Sequence, residues 1–151
     1  MSKINILFVI DSYKNPFAGT EGQLLKLVSG IDKKRYNARM VVFKSSSYLE
    51  NNHFPIPVDV LNINRLVSLN SFIVLFNFFK KRKLEGFRLG HIFFNDASII
   101  CPPILKLLGY RVLVSRRDMG YWYNKLNLPL LKINSYWYRP LWQSVHLHRG
   151  Q

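Results

Sequence analysis

Residues 4–31 read INILFVIDSYKNPFAGTEGQLLKLVSGI, a long apolar run followed by a loop and a second apolar pattern. Its first part, Ile4–Ile10, is apolar almost throughout and rich in β-formers, which predicts a buried strand that ends at Asp11. After a loop with proline and glycine, apolar residues recur at helical spacing on one predicted face: Leu24, Leu25, Leu27, Val28 and Ile31. A strand, a loop and an amphipathic helix in this order predict the first unit of a parallel α/β sheet.

The rest of the chain continues this alternation. We expect further strands at 38–44, 58–63, 90–96 and 111–115, a helix over 70–83 that begins with Asn70 or Ser71 as its N-cap, and a helix over 97–109 with prolines near its first turn or at a kink. The polar segment 45–57 is expected to be a loop. Strands that are apolar throughout are covered on both faces, so the sequence predicts a doubly wound, Rossmann-like parallel sheet.

The composition is strongly basic. The chain has 151 residues, and 22 Lys and Arg against 8 Asp and Glu give a net charge of +14. Such a charge attracts anions, whether nucleic acid, phosphorylated substrates or anionic lipid headgroups. The single cysteine, Cys101, excludes an internal disulfide and agrees with a reducing compartment. No apolar run reaches the roughly 18–20 residues that span a bilayer, so we expect a cytoplasmic chain, soluble or peripheral on a membrane.

Three loops are candidates for a ligand site, because a doubly wound sheet binds ligands at the carboxyl ends of its strands. They are residues 11–21, 94–98 and 115–122. The first ends at Gly19, Thr20 and Glu21, where the backbone N–H groups of a helix start suit a phosphate or carboxylate. This loop is neither GxGxxG nor GxxxxGK[ST], so it indicates no dinucleotide or P-loop site. Glu21 is also the acid that a helix prefers in its first turn, and this capping role stays open.

The second loop, after the fourth strand, contains Asn95 and Asp96. Asp96 either caps the helix that follows or faces the cleft. His91 lies at the start of the predicted strand, so we expect it to be buried away from the ligand end. The four His residues show no metal-ligand spacing with acids or with Cys101, although His146 and His148 could pick up stray metal. We therefore expect neither a metal nor another cofactor.

The third loop places Arg116, Arg117 and Asp118 directly after the fifth strand. Two guanidinium groups there would clamp a phosphate or a carboxylate. The alternative is a solvated loop in which an arginine pairs with the aspartate. Local pattern alone leaves both interpretations open.

Two segments together resemble the N-terminal domain of the family-four glycosyltransferases, which have the GT-B fold: INILFVIDS…AGTEGQLLKLVSGIDKKRYNARMVV and HIFFNDASIICPPILKLLGYRVLVSRRDMGYW. The nearest subgroup is the bacterial enzymes of polysaccharide and lipid-linked glycan assembly. The resemblance covers residues 3–123, which implies that 1–123 form a Rossmann-like, acceptor-side domain. Residues 124–151 follow it as an aromatic-rich segment that we expect to be helical.

The resemblance gives the first loop a role. In that family the loop is Gly-Gly-x-Glu or close to it, and its backbone approaches the donor diphosphate. Gly19, Thr20 and Glu21 match the last three positions, and Ala18 replaces the first glycine. The resemblance therefore implies that residues 19–21 form the donor diphosphate loop, with Glu21 fixing the loop and the helix start rather than acting as a nucleophile.

The other motifs match in part. The family strand motif resembles Val-His-Thr-His; here His91 matches the first histidine and Phe93 stands in place of the second, so no role of that second histidine carries over. The subgroup pattern Arg-Arg-Asp-hydrophobe-Gly-aromatic-Trp matches SRRDMGYW, which implies that Arg116, Arg117 and Asp118 lie on the acceptor side. The predicted sheet topology, and not the resemblance, places Asn95 and Asp96 in a cleft loop.

The implied activity is transfer of a sugar from a nucleotide-sugar to a lipid-linked or polysaccharide acceptor. Attachment to the inner membrane face is expected from the charge, the Lys-rich end of the helix over 70–83 and the Trp and Tyr residues of 121–142. The family holds its donor with a paired-glutamate motif in a second domain, which these 151 residues do not contain. With five predicted strands where about six or more are usual, we expect a truncated chain that is inactive alone.

The charge and the α/β pattern allow two other interpretations. A basic nucleic-acid- or anion-binding α/β module is the alternative that the charge supports. The basic residues are spread along the chain and form no helix-turn-helix or RNP-like motif, so we do not expect nucleic acid as the partner. A nucleotide-dependent oxidoreductase domain is not indicated, because GxGxxG and an acid after the second strand are both missing.

Overall fold

The computed structural model describes residues 3–17, 19–65, 68–93 and 95–115. Strands and helices alternate along these residues: β1 (Ile4–Ile10), α1 (Gly19–Gly30), β2 (Tyr36–Val42), α2 (Ser47–Asn51), β3 (Val58–Val60), α3 (Leu69–Leu84), β4 (Leu89–Phe93), α4 (Asn95–Leu107) and β5 (Arg111–Ser115). The predicted Rossmann-like α/β fold is confirmed. The predicted domain boundary at residue 123 and the predicted helix within 124–151 lie outside the described residues.

The sheet is parallel throughout and has the strand order β3-β2-β1-β4-β5. β1 lies at its centre, where Ile6 pairs with Ala38 of β2 on one side and with Leu89 of β4 on the other. The chain builds outward from β1 to β3 and then crosses over to β4, so the direction of winding changes between β1 and β4. In a doubly wound sheet this switch point opens the ligand crevice at the carboxyl ends of the two strands.

From Ile6 to Ile10 both faces of β1 are buried, as its continuous apolar sequence predicts, while Ile4 is half-exposed. Ile6, Phe8 and Ile10 join a core cluster with Leu24 and Val28 of α1. Leu7 and Val9 point to the other face and are completely buried. One residue of the predicted apolar face of α1 does not take part, because the side chain of Leu27 is 44% exposed.

The segment expected to be a loop, 45–57, contains the short helix α2. Ser46 is its N-cap, and the side chain of Ser46 accepts a hydrogen bond from the backbone N–H of Leu49 over 3.3 Å. Tyr48 and Leu49 pack against the core cluster on the α1 face. Tertiary burial of these two side chains therefore stabilises a helix too short to predict from its own sequence.

Helix α3 begins earlier than predicted. Its N-cap is Ser68, whose side chain accepts from the backbone N–H of Ser71 over 3.1 Å. Ser71, one of the two predicted caps, is instead buried in the first turn and donates its hydroxyl to the carbonyl oxygen of Arg65. The predicted β2 was two residues too late at both ends, since it runs from Tyr36 to Val42. The predicted start of β3 at Val58 is confirmed, and its predicted end was too late, since it ends at Val60.

Helix α4 also begins earlier than predicted, because β4 ends at Phe93. Pro102 and Pro103 therefore lie inside the helix and not near its first turn. The predicted end at Gly109 is confirmed by a Schellman motif: Gly109 has φ of 74°, its N–H donates to Lys106 O over 2.9 Å, and the Tyr110 N–H donates to Leu105 O over 2.9 Å.

Candidate functional site

Asp11 lies at the carboxyl end of β1 and joins three elements there. Its backbone carbonyl accepts hydrogen bonds from the N–H groups of Phe43 and Lys44, at 3.0 and 3.1 Å. Its carboxylate oxygen Oδ1 accepts from the N–H of Ala97, in the first turn of α4, at 2.6 Å. One residue thus fixes the end of the central strand to the end of β2 and to the start of α4.

The Asp11 carboxyl is electrostatically unusual. Burial and the nearby Asp96 carboxylate raise its pKa to about 7, although backbone N–H groups of Ala97 and Asp96 and the charge of Lys44 act in the opposite direction. The group is therefore partly protonated at neutral pH. Cys101 lies within the field of the same carboxylate, and its own pKa is raised well above the usual value, first by burial and then by Asp11.

The capping role considered for Asp96 is filled by Asp11. Asp96 lies within the first turn of α4 with an exposed side chain, while the donor of Ala97 is satisfied from β1. Asn95 is the first residue of the helix, not part of the preceding loop. Sequence reasoning did not single out Asp11; the available signal was an acid directly after a buried strand, in a chain with 8 acids.

The first loop is anchored through Tyr13, which is completely buried. Its ring lies against Tyr48 and Phe54, with ring centroids 5.4 and 5.0 Å away. Its hydroxyl donates to the carbonyl oxygen of Glu21 over 3.2 Å, and its own carbonyl accepts from the hydroxyl of Ser46. These contacts hold the loop to the core cluster and to the start of α1.

Glu21 closes the same loop from the helix side. Its carboxylate is buried, and Oε1 accepts a hydrogen bond from the backbone N–H of Lys14 over 2.7 Å. Between these positions, Asn15 Oδ1 accepts from the N–H of Phe17 over 2.9 Å, which tightens the turn. A carboxylate held this way fixes the loop, which fits the role that the resemblance implies for Glu21. Gly19 and the side chain of Phe17 remain exposed beside it.

Gly19 and Gly22 differ in the space that the fold leaves for a side chain. A Cβ on Gly22 would lie 2.8 Å from the backbone oxygen of Pro16, so the loop packs too closely against α1 for any side chain there. A Cβ on Gly19 would meet nothing within 4 Å. The packing of the described residues therefore requires glycine at 22 and leaves space beside residue 19.

Gly22→Ala is expected to lower the free energy of unfolding by about 1–2 kcal/mol, since a forced backbone shift of about 1–3 kcal/mol is partly offset by the better helix propensity of alanine. Gly19→Ala is the matched control and should change stability by less than about 0.5 kcal/mol. Urea unfolding followed by circular dichroism measures both. Equal effects of the two substitutions would contradict the steric argument.

His91 is the third residue of β4, not its start, and its ring reaches the carboxyl edge of the sheet. Nε2 lies 2.7 Å from the hydroxyl of Ser115, the last residue of β5. The ring also packs against Phe8 and Phe93, with centroids 5.6 and 4.3 Å away. Burial lowers the pKa of His91 to about 4, so the ring is neutral at pH 7. The expectation that His91 is buried away from the ligand end is therefore wrong.

The remaining predicted site residues divide into two groups. Thr20 lies half-buried in the first turn of α1, beside Gly19 and Glu21. Arg116, Arg117 and Asp118 lie outside the described residues. Where the structure describes the chain, no three His, Cys, Asp or Glu residues are grouped as metal ligands would be.

The sequence matches no protein-family model and no curated protein. Within the described part of the chain, no helix combines the length and the apolar character needed to cross a membrane.

Proposed function

We propose that the chain is the acceptor-side domain of a glycosyltransferase that passes a sugar from a nucleotide-sugar to a lipid-phosphate or polysaccharide acceptor. The main observation in support is the loop at the switch point, which Glu21 closes onto the N–H of Lys14. The closure leaves Gly19 exposed at the first turn of α1, with open space where a side chain would be. A diphosphate can approach the backbone closely at such a position.

The charges around the loop agree with an anionic ligand. Lys14 and Lys44 are exposed, and the chain as a whole carries +14. Glu21 is turned inward to a backbone donor and Asp11 is partly neutral at pH 7, so these two acids repel a phosphate less than two exposed carboxylates would. A third acid of this edge, Asp96 in the first turn of α4, is exposed and opposes an anion. In the proposal Arg116 and Arg117 hold the phosphate of the acceptor, with Asp118 beside them, and Asn95 and Asp96 lie at the cleft.

The test is kinetic, in a two-domain enzyme that carries these loops. Gly19→Ala should raise the KM for the nucleotide-sugar about tenfold, because the added methyl group occupies the approach to the diphosphate. Arg116→Ala with Arg117→Ala should raise the KM for a phosphorylated acceptor by at least about tenfold, since two charge-assisted hydrogen bonds are lost.

Both variants should keep the thermal stability of the parent, which separates loss of binding from loss of fold. Unchanged acceptor kinetics in the double arginine variant would contradict its role. Unchanged donor kinetics in Gly19→Ala would contradict the diphosphate loop.

We further propose that the protein is cytoplasmic and attaches peripherally to the inner membrane face. The charge of +14 supports this, because each basic residue near an anionic surface contributes about 1 kcal/mol. The Trp and Tyr cluster of 121–142, which also suggests an interfacial location, lies outside the described residues. The described residues offer a second source of affinity, on α3.

A further inference from the structure

Helix α3 exposes an apolar strip, which consists of Leu69, Phe72, Ile73 and Phe76. These positions have the spacing i, i+3, i+4 and i+7, so they share one side of the helix. Leu69 is 78% exposed, Phe72 41% and Ile73 48%, and the rings of Phe72 and Phe76 stack with centroids 6.2 Å apart. The core-facing side of α3 is formed by other residues, Ser71, Leu75 and Phe79. The strip is therefore additional to the face that packs in the core.

The strip continues into basic residues along the same helix. Lys80 and Lys81 are exposed, and Leu84 beyond them is exposed too. Residues 69–84 contain no acid. The next acid in the sequence, Glu85, forms an ion pair with Arg82, in which Glu85 Oε2 lies 2.6 Å from Arg82 Nη1. An exposed apolar strip followed by lysines is typical of a helix that lies in the headgroup region of an anionic membrane.

We infer that the apolar strip of α3 docks on an anionic lipid surface, an inference that rests on the proposed peripheral attachment. The charge favours lipid over a second copy of this chain, because two molecules of +14 repel each other. The helix, with 16 residues, is too short to span a bilayer of roughly 20 residues, so it lies on the surface.

The position of the strip suits a lipid-linked acceptor. α3 connects two parallel strands, β3 and β4, so it starts at the carboxyl edge of the sheet and runs back toward the other edge. Its apolar half, which comes first, therefore lies toward the edge that carries Asp11 and Ser115. A membrane bound by the strip would hold a lipid anchor on the same side of the domain as the candidate site.

A labelled thiol tests the docking surface directly. Cys101 is completely buried, so a thiol-reactive, polarity-sensitive fluorophore should label an introduced cysteine selectively. Ile73→Cys places the label on the strip. Leu27→Cys is the matched control, because Leu27 is 44% exposed on α1, a different helix. The labelled proteins are mixed at low salt with phosphatidylcholine vesicles, with and without phosphatidylglycerol.

On the vesicles that contain phosphatidylglycerol, we expect the fluorescence emission of the label at residue 73 to shift to the blue and that of the label at residue 27 to stay unchanged. In co-sedimentation, Phe72→Gln with Ile73→Gln should lower the vesicle-bound fraction about tenfold, and Leu27→Gln should leave it unchanged. Circular dichroism checks that the variants are folded. If the double variant is unfolded, the test rests on the fluorophore at residue 73, which is carried by a different variant.

Three results would overturn the inference in distinguishable ways. No co-sedimentation of the parent protein would reject peripheral attachment together with the docking surface. Co-sedimentation without a fluorescence shift at residue 73 would reject the strip as the docking surface and leave peripheral attachment in place. A shift at residue 73 that needs no vesicles and grows with protein concentration would mean that a second copy covers the strip.

Discussion

Asp11→Asn is expected to raise the free energy of unfolding by about 2 kcal/mol at about pH 8 and to change it little near pH 4. The reason is that the folded protein holds this carboxyl in a place that disfavours its charge. Asparagine keeps a side-chain oxygen for the N–H of Ala97 and removes the charge. Linkage over the full shift of the Asp11 pKa would give about 4 kcal/mol. Because Asp11 is half-buried, solvent screens part of this effect, and we expect about half of that value.

The sign follows from proton binding. The pKa of Asp11 is about 7 in the folded chain, against an ordinary value of 3.8. Between these pH values the folded state binds more protons than the unfolded state, so stability falls as pH rises through the interval. The groups that act on Asp11 are Asp96, the N–H groups at the start of α4, and Lys44.

The titration of His91 changes the stability in the opposite direction over part of this pH range. Its pKa is lowered from 6.5 to about 4, so the unfolded state binds more protons there and stability rises with pH. The two contributions nearly cancel between about pH 4 and 6.5. The parent protein should therefore show little pH dependence from this pair, Asp11→Asn should become more stable as pH rises, and His91→Gln should become less stable.

Urea unfolding at a series of pH values, followed by circular dichroism, measures all three proteins. The comparison uses the slope of stability against pH, so a uniform loss from the broken bond to Ser115 in His91→Gln does not affect it. Parallel curves for the parent and Asp11→Asn would show that Asp11 titrates normally.

Glu21→Ala is expected to lower the free energy of unfolding by about 2–3 kcal/mol, because a part-buried hydrogen bond to a buried carboxylate is lost and a small cavity remains. The donor is the backbone N–H of Lys14. Glu21→Gln keeps a carbonyl oxygen for it and should cost less than about 1 kcal/mol.

Glu50→Ala is a suitable control, because Glu50 is an exposed acid in the first turn of α2. If first-turn charge were the main contribution of Glu21, the two alanine variants would each lose less than about 1 kcal/mol. A loss at residue 21 several times larger, and largely rescued by glutamine, would show that closure of the loop matters more than the helix dipole. Similar losses in Glu21→Ala and Glu21→Gln would contradict the hydrogen-bond argument.

Local patterns predicted the strands best. β1 and β5 have the predicted bounds, because each is a short apolar run with turn residues before or after it. The start of α3 was harder, since Ser68, Asn70 and Ser71 are all good caps and only the tertiary structure selects Ser68. α2 depends on the packing of Tyr48 and Leu49, which no local pattern reveals.

The site could be predicted as a set of loops but not as a set of contacts. The switch point placed the first loop and the start of α4 at one edge of the sheet, as parallel strands require. The bond between Asp11 and Ala97 joins residues 86 positions apart, so a one-dimensional pattern cannot assign it. The same holds for His91 and Ser115, which meet only because β4 and β5 pair in a particular register.

The central position of β1 affects how the chain can fold during synthesis. β1 leaves the ribosome before the other strands of the sheet, yet one of its two neighbours in the sheet, β4, begins at Leu89. Until β4 has emerged, the edge of β1 that it will cover has backbone N–H and C=O groups without their final partners, beside apolar side chains. Pairing across such a separation is slow. While the residues between β1 and β4 are synthesised, the nascent chain therefore carries its most hydrophobic strand half-covered, a period in which chaperone binding would be most useful.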